Sequence, residues 1–263
     1  MTMGMLWNVY WIQLVKKWKI RIEVIIMRDI RKDKKYFEEY LTKADQRLLK
    51  FNEVLELGKI KFPNNKEKER EGNGFLLDIS LYKLNALYSM GKEIDSIRKY
   101  YYEVVEYMKK GWNFKSYNTM LWMVSWGILL DASSEVMESL HELQSKSKKE
   151  DFLIDYLFYA NNSNWKINTK ELLFPKDFKT LQELVQLDDK EEMINKLKYY
   201  LENEWYKIYD DTGWHESHNH YEKIYSGYWS WESGAIAKIL QLNDKDLKNL
   251  PYYPYDLVHY KGN

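Results

Sequence analysis

Met120-Leu121-Trp122-Met123-Val124-Ser125-Trp126-Gly127-Ile128-Leu129-Leu130 is apolar on every helical face. Its eleven residues fall well short of the roughly 20 that a membrane-spanning helix needs. With no charge in it, the run has no side to turn toward water. A short helix of this kind belongs at the centre of a helical protein, with other helices wrapped around it.

The flanking sequence supplies those helices. Upstream, Phe37, Leu41, Ala44, Leu48, Phe51 and Leu55 recur every three or four residues, which predicts a long amphipathic helix stopping at Gly58. The charged stretch 62–74 carries Pro63 and ends in Gly72 and Gly74, the composition of an exposed loop. A second helix is expected from Phe75 to Tyr88, ending at Gly91. Ile97, Tyr100, Tyr101, Val104, Val105 and Met108 mark a third. Downstream, Val136, Leu140 and Leu143 share one face of a helix over Ser133–Lys149, and the polar string Gln144–Glu150 is the expected boundary. Helices at Phe152–Tyr159, near Phe178–Leu187 and over Lys190–Trp205 follow. Asp188 before Glu191, and Asp189 before Glu192, have the spacing of an N-terminal cap. Strand-like alternation is scarce and no solenoid-type repeat is evident. The expected fold is all-α, two packed helical subdomains of antiparallel bundle type, 29–143 and 144–263, after an N-terminal extension 1–28.

Composition agrees with a globular core: 45% of residues are hydrophobic and 30% charged, so disorder is not the default. The 23 Tyr and 11 Trp supply large apolar faces with polar handles. The absence of cysteine excludes disulfides, thiol catalysis and cysteine-held metals. Residues 1–26 mix Trp, Ile and Val with Lys and Arg, without a continuous apolar run or a small-residue cleavage site. Such a segment could lie on a membrane surface. The expectation is instead an over-extended or disordered start, with Met27 as the natural first residue.

Net charge is zero but unevenly spread. Residues 151–263 hold 13 lysines, no arginine and 19 acids, a net −6. The segment 188–222, with ten acids against four lysines, accounts for all of that excess. Nucleic-acid binders gather the opposite charge, whereas an acidic surface suits a basic protein partner.

Motifs for chemistry are weak. There is no phosphate loop and no dinucleotide fingerprint. Trp214-His215-Glu216-Ser217-His218-Asn219-His220 gathers three imidazoles, but without the i, i+4 spacing that puts two ligands on one helical face. Glu232, among apolar neighbours, has the setting of a raised-pKa acid. No second carboxylate accompanies it, and Tyr and Trp donors abound, so a structural carboxylate is the expectation. No catalytic residue, metal or cofactor is assigned.

Gly227-Tyr228-Trp229-Ser230-Trp231-Glu232, then Ala235-Ile236-Ala237-Lys238-Ile239-Leu240, then Pro251-Tyr252-Tyr253-Pro254-Tyr255-Asp256, resembles the C-terminal domain of the PoNi immunity family, marked by a GYW-[ST]-[FW]-E helix and a YYPYD segment. Tyr36-Phe37, Tyr88-Ser89-Met90-Gly91, Tyr117 and the Leu121–Leu130 run are similar to its N-terminal domain and the junction after it. The resemblance spans roughly Asp29 to Tyr260. It departs at Ser233-Gly234, where two residues such as alanine are expected; a helical glycine costs about 1 kcal/mol. Gly227 and the small residues 230–237 let this helix approach a neighbour closely, and Pro251 and Pro254 would lock an extended stretch whose rings staple the chain end to the bundle.

The resemblance implies an immunity protein acting in the cytoplasm, which binds a PoNe-type DNase toxin by occlusion and contacts neither nucleic acid nor membrane. A DNase cleft is basic, so the expected contacts are Asp188, Asp189, Glu191, Glu192, Glu202, Asp210 and Asp211, with Trp205, Tyr206 and Trp214 as aromatic anchors. Two rival readings are a helical metal-dependent hydrolase using His215–His220 and a non-catalytic scaffold or adaptor.

Overall fold

The computed structural model describes residues 27–262, so the expectation for residues 1–26 lies outside the described residues. Among the described residues there are ten α-helices and no strand, and the fold is all-α. The helices are α1 (Lys34–Lys61), α2 (Lys66–Ser89), α3 (Ile94–Gly111), α4 (Tyr117–Leu129), α5 (Ser134–Ser147), α6 (Phe152–Asn161), α7 (Pro175–Leu184), α8 (Lys190–Asn203), α9 (Trp231–Leu240) and the single turn α10 (Tyr255–Val258). No helix among them is long and apolar enough to cross a membrane.

Helix α1 starts where Asp33 accepts a hydrogen bond from the Tyr36 amide at 2.8 Å, and it buries Phe37, Leu41, Ala44, Leu48 and Leu55. It runs past Gly58 to Lys61, one turn beyond the expected stop. The expected loop 62–74 shrinks to four residues, 62–65. Asn65 caps α2 by accepting from the Lys68 amide at 3.0 Å, and Glu67 and Glu69 suit the positive end of its dipole. The glycines read as loop markers lie inside the helix because a neighbour crosses there. A Cβ on Gly111 of α3 would sit 2.3 Å from the Gly74 amide nitrogen and the Asn73 carbonyl carbon. Backbone touches backbone at this crossing, and no side chain fits.

Helix α4 has the expected central position. Ser116 caps it, and every residue from Thr119 to Leu129 is buried. It packs on α5, α6 and α9. Trp126 meets Trp231 of α9 at 4.2 Å between ring centroids, and Tyr88 of α2 meets Trp229 and Trp231 edge-on at 4.8 and 5.3 Å. Gly234 allows the α9 contact, since a Cβ there would lie 2.6 Å from Pro254 and 3.4 Å from Leu129. One apolar core therefore runs from Phe37 through Trp126 to Leu257, and both halves of the sequence contribute to it. A smaller cluster, Ala44, Leu48, Leu55, Leu76 and Ile79, fills the far end of the α1–α2 pair.

The described chain ends are tied in as well. Arg28 donates to Asp256 at 2.7 Å and to the Lys92 carbonyl at 2.9 Å. Lys238 donates to the carbonyls of Leu129 and Tyr260, while Tyr260 donates to Asp95. The tail is not extended throughout, as Pro251 and Pro254 suggest by themselves. Tyr252 turns at φ 71°, its carbonyl accepts from the Ser230 amide at 2.8 Å, and Pro254 leads into α10. The turn carries Tyr253 inward to donate to buried Asp244 at 2.6 Å.

Candidate partner interface

Helices α7 and α8 pack against each other across the short connection 185–189, so they run antiparallel. Pro175 opens α7, and Asp189 opens α8 by accepting from the amides of Glu191 and Glu192 at 2.7 and 3.1 Å. The buried face of α8 is Met193, Leu197, Tyr200 and Leu201, which leaves Glu191, Glu192, Asn195, Tyr199 and Glu202 outward.

This hairpin divides the acidic segment into two groups. Asp188, Asp189, Glu191 and Glu192 are exposed at the turn end. Glu202, Asp210 and Asp211 are exposed at the open end, about 20 Å away along a 14-residue helix. The open end gains a carboxylate that charge counting by segment overlooks. Asp177, in the first turn of α7, is pushed up by burial and then by the neighbouring Asp211 carboxylate.

Of the three expected anchors, Trp205 is corrected: its ring is 1% exposed and cannot reach a partner. Its indole nitrogen donates to Glu232 at 2.7 Å. Amphipathic spacing alone does not reveal this contact, because the carboxylate arrives from α9. Trp214 is half-buried between Tyr209 and Tyr228 at 4.9 and 5.5 Å. Tyr206 is half-buried too, stacked on Tyr252 at 5.2 Å, and donates to Glu216 at 2.9 Å. More exposed rings lie elsewhere. Tyr199 is 54% exposed on α8, while Phe174 and the adjacent Leu173 are exposed ahead of α7.

Glu232 is buried completely. Its Oε1 accepts from Trp205, from Ser230 at 2.9 Å and weakly from Tyr200 at 3.4 Å, whereas Oε2 has no donor among the described residues. Burial outweighs these hydrogen bonds and pushes the carboxyl up to about 7. The group is enclosed and out of reach of any substrate, so its work is in the core.

The three imidazoles take separate partners. His215 lies against the Tyr206 ring at 4.2 Å, His218 Nδ1 is 3.0 Å from the Tyr228 hydroxyl, and His220 Nδ1 accepts from the Glu222 amide at 3.1 Å. Among the described residues no three His, Cys, Asp or Glu side chains converge as metal ligands do.

The signature residues form the seam between the halves. Gly227 adopts φ 118°, and a Cβ there would lie 2.0 Å from the Ser89 hydroxyl. That hydroxyl donates to the Ser226 carbonyl and accepts from the Trp229 indole at 2.9 Å. Gly227–Ser230 is a non-helical lead-in, and α9 starts only at Trp231. Trp231 donates to Asn85 of α2 at 3.1 Å. Tyr228 and Tyr252 carry the Arg31 guanidinium at 5.4 and 5.2 Å, Tyr255 caps His259 at 4.3 Å, and Asp256 holds Arg28. Pro254 fills the space left by Gly234.

Comparison with known proteins gives this seam a family. Residues 27–142 match the model of the PoNe immunity protein (PoNi), N-terminal, and residues 149–257 that of the PoNe immunity proteins (PoNi), C-terminal. The crystal structure of protein PA2201 from Pseudomonas aeruginosa superposes with a TM-score of 0.69 over 90% of this chain and 91% of that one. At 18% identity, that likeness shows a shared fold. No curated protein sequence matches the chain. Both family models together cover most of the residues, in order and across the seam, and the chain belongs to the PoNi family of PoNe immunity proteins.

Proposed function

We propose that this protein shields its producer by binding a cognate PoNe-type DNase toxin in the cytoplasm and covering its DNA cleft, without catalysing any reaction itself. The family membership of both halves carries the reading. The acidic surface supports the occlusion part. A nuclease cleft concentrates positive charge to hold phosphates, and exposed carboxylates such as Glu202, Asp210 and Asp211 would compete for it. Long-range attraction between the two surfaces would speed encounter and disfavour wrong partners.

The test is co-expression of the product of the neighbouring open reading frame, with and without this chain, scoring survival and chromosomal DNA integrity. Rescue of growth with intact DNA supports the proposal. Continued killing, or killing that leaves DNA uncut, contradicts it.

A further inference from the structure

Resting on that reading, we infer that the toxin docks at the open end of the α7–α8 hairpin, with an apolar side chain seated on Leu173 and Phe174 and flanking arginines or lysines facing Asp177, Asp210 and Asp211.

The two acidic ends of the hairpin differ in what accompanies the charge. At the turn end, Asp189 already serves as the α8 cap, and no large apolar side chain of 185–192 is exposed. At the open end, Leu173 and Phe174 are 43% and 44% exposed. Interfaces draw most of their energy from a few apolar or aromatic anchors inside a polar rim, while charge alone mainly steers. Only the open end offers both.

The platform is also built rather than loose. The loop 162–174 folds back along α6, with the Phe152 amide donating to the Glu171 carbonyl at 2.9 Å and the Asn168 amide to Asp155 at 2.7 Å. Asp151, 0% exposed, takes the Leu173 amide on Oδ2 at 2.8 Å and Tyr117 and the Ile154 amide on Oδ1, each at 3.0 Å. The Phe174 ring then leans on Tyr117 at 4.8 Å. Two sides of the anchor are fixed and its outer face is free, so little ordering cost attends binding.

The charge collar fits a basic occupant. Burial and then the neighbouring Asp211 carboxylate oppose the ionisation of Asp177, with Lys176 offsetting part of this, and neither Asp177 nor Asp211 makes an ion pair within 4.0 Å among the described residues. Carboxylates of these segments, with Glu202 and Glu204, outnumber Lys176 and Lys207. A cationic side chain from a partner relieves that repulsion.

Variants of the full chain at the two ends of the hairpin separate the possibilities, with binding to a cleavage-inactive variant of the cognate toxin measured by calorimetry. Phe174→Ser and the pair D210K/D211K should each weaken binding by roughly tenfold or more. Glu191→Lys with Glu192→Lys, at the turn end, should change it by less than about threefold. Thermal melts of every variant establish folding, and Phe174→Tyr should bind like the parent even if Phe174→Ser melts early. Loss confined to the turn-end pair overturns this site while leaving the immunity reading intact. Normal binding by all folded variants overturns the site as well. Failure of the unaltered chain to bind the toxin overturns the reading beneath it.

Discussion

The Trp205 indole donates to the Glu232 carboxylate at 2.7 Å, with both side chains closed off from solvent. Trp205 lies two residues past the end of α8, and Glu232 sits in the first turn of the signature helix α9. The bond joins the segment after α8 to the seam that α9 makes with α2 and α4.

Glu232 should make stability depend on pH. Its carboxyl is raised from 4.5 to about 7 in the folded protein, so the folded state holds the proton more tightly than the unfolded one. The stabilisation is fully present below the unfolded value and is lost as pH rises through about 7, with a limiting slope near 1.4 kcal/mol per pH unit. Glu232→Gln removes the titration. Urea unfolding of both proteins from pH 4 to 8 should show the parent losing a few kcal/mol relative to the variant. Parallel profiles would sink the assignment.

Trp205→Phe should destabilise rather than disarm. It deletes the donor to a buried carboxylate, a loss of about 1–3 kcal/mol, plus the packing lost with the smaller ring. Affinity for the toxin, measured well below the melting transition, should stay within about threefold of the parent, a free-energy change under about 0.7 kcal/mol. A stable variant that no longer binds would mean that Trp205 contacts the partner after all.

Gly111→Ala tests the backbone crossing of α2 and α3. Its methyl group would meet the Asn73 and Gly74 backbone at 2.3 Å, where no flexible side chain can move aside. Overpacking of this kind costs about 1–3 kcal/mol, at the upper end where backbone meets backbone, to be read from the denaturant midpoint. Gly58→Ala, where a Cβ meets nothing within 4 Å, should instead be neutral or slightly stabilising. Equal effects at both sites would contradict the close approach.

Because α4 packs on α9, residues 27–143 and 144–263 made separately should each lack a cooperative melt. Mixed or co-expressed, they should recover one transition. Two independent sharp transitions from the separate pieces would show that the halves do not need their common core.

What was legible in the sequence follows from what is local. The all-apolar run of α4, the periodicity of α1 and α3, and the Asp189 cap lie within short windows, and each led to the right element. The start of α2 was obscured because Pro63, Gly72 and Gly74 look like loop chemistry. Their meaning appears only beside Gly111, which a linear reading does not bring near. Trp205 resembles a surface ring in the linear sequence for the same reason, since its partner carboxylate comes from a later helix. The pairing of Asp177 with Asp211 and the tether from Asp151 to Leu173 likewise arise from chain reversal. Glu232, expected to be satisfied by Trp and Tyr donors, accepts from Trp205 and weakly from Tyr200, both well before it in sequence.

The most direct measurement titrates purified chain into a fixed amount of the toxin's nuclease domain, reading complex formation and DNA cleavage in the same samples at about 0.15 M salt. Cleavage should fall in step with complex formation and return when raised salt or D210K/D211K dissociates the pair. A saturated complex that still cuts DNA at the full rate, or a toxin that never engages the chain, contradicts immunity by occlusion.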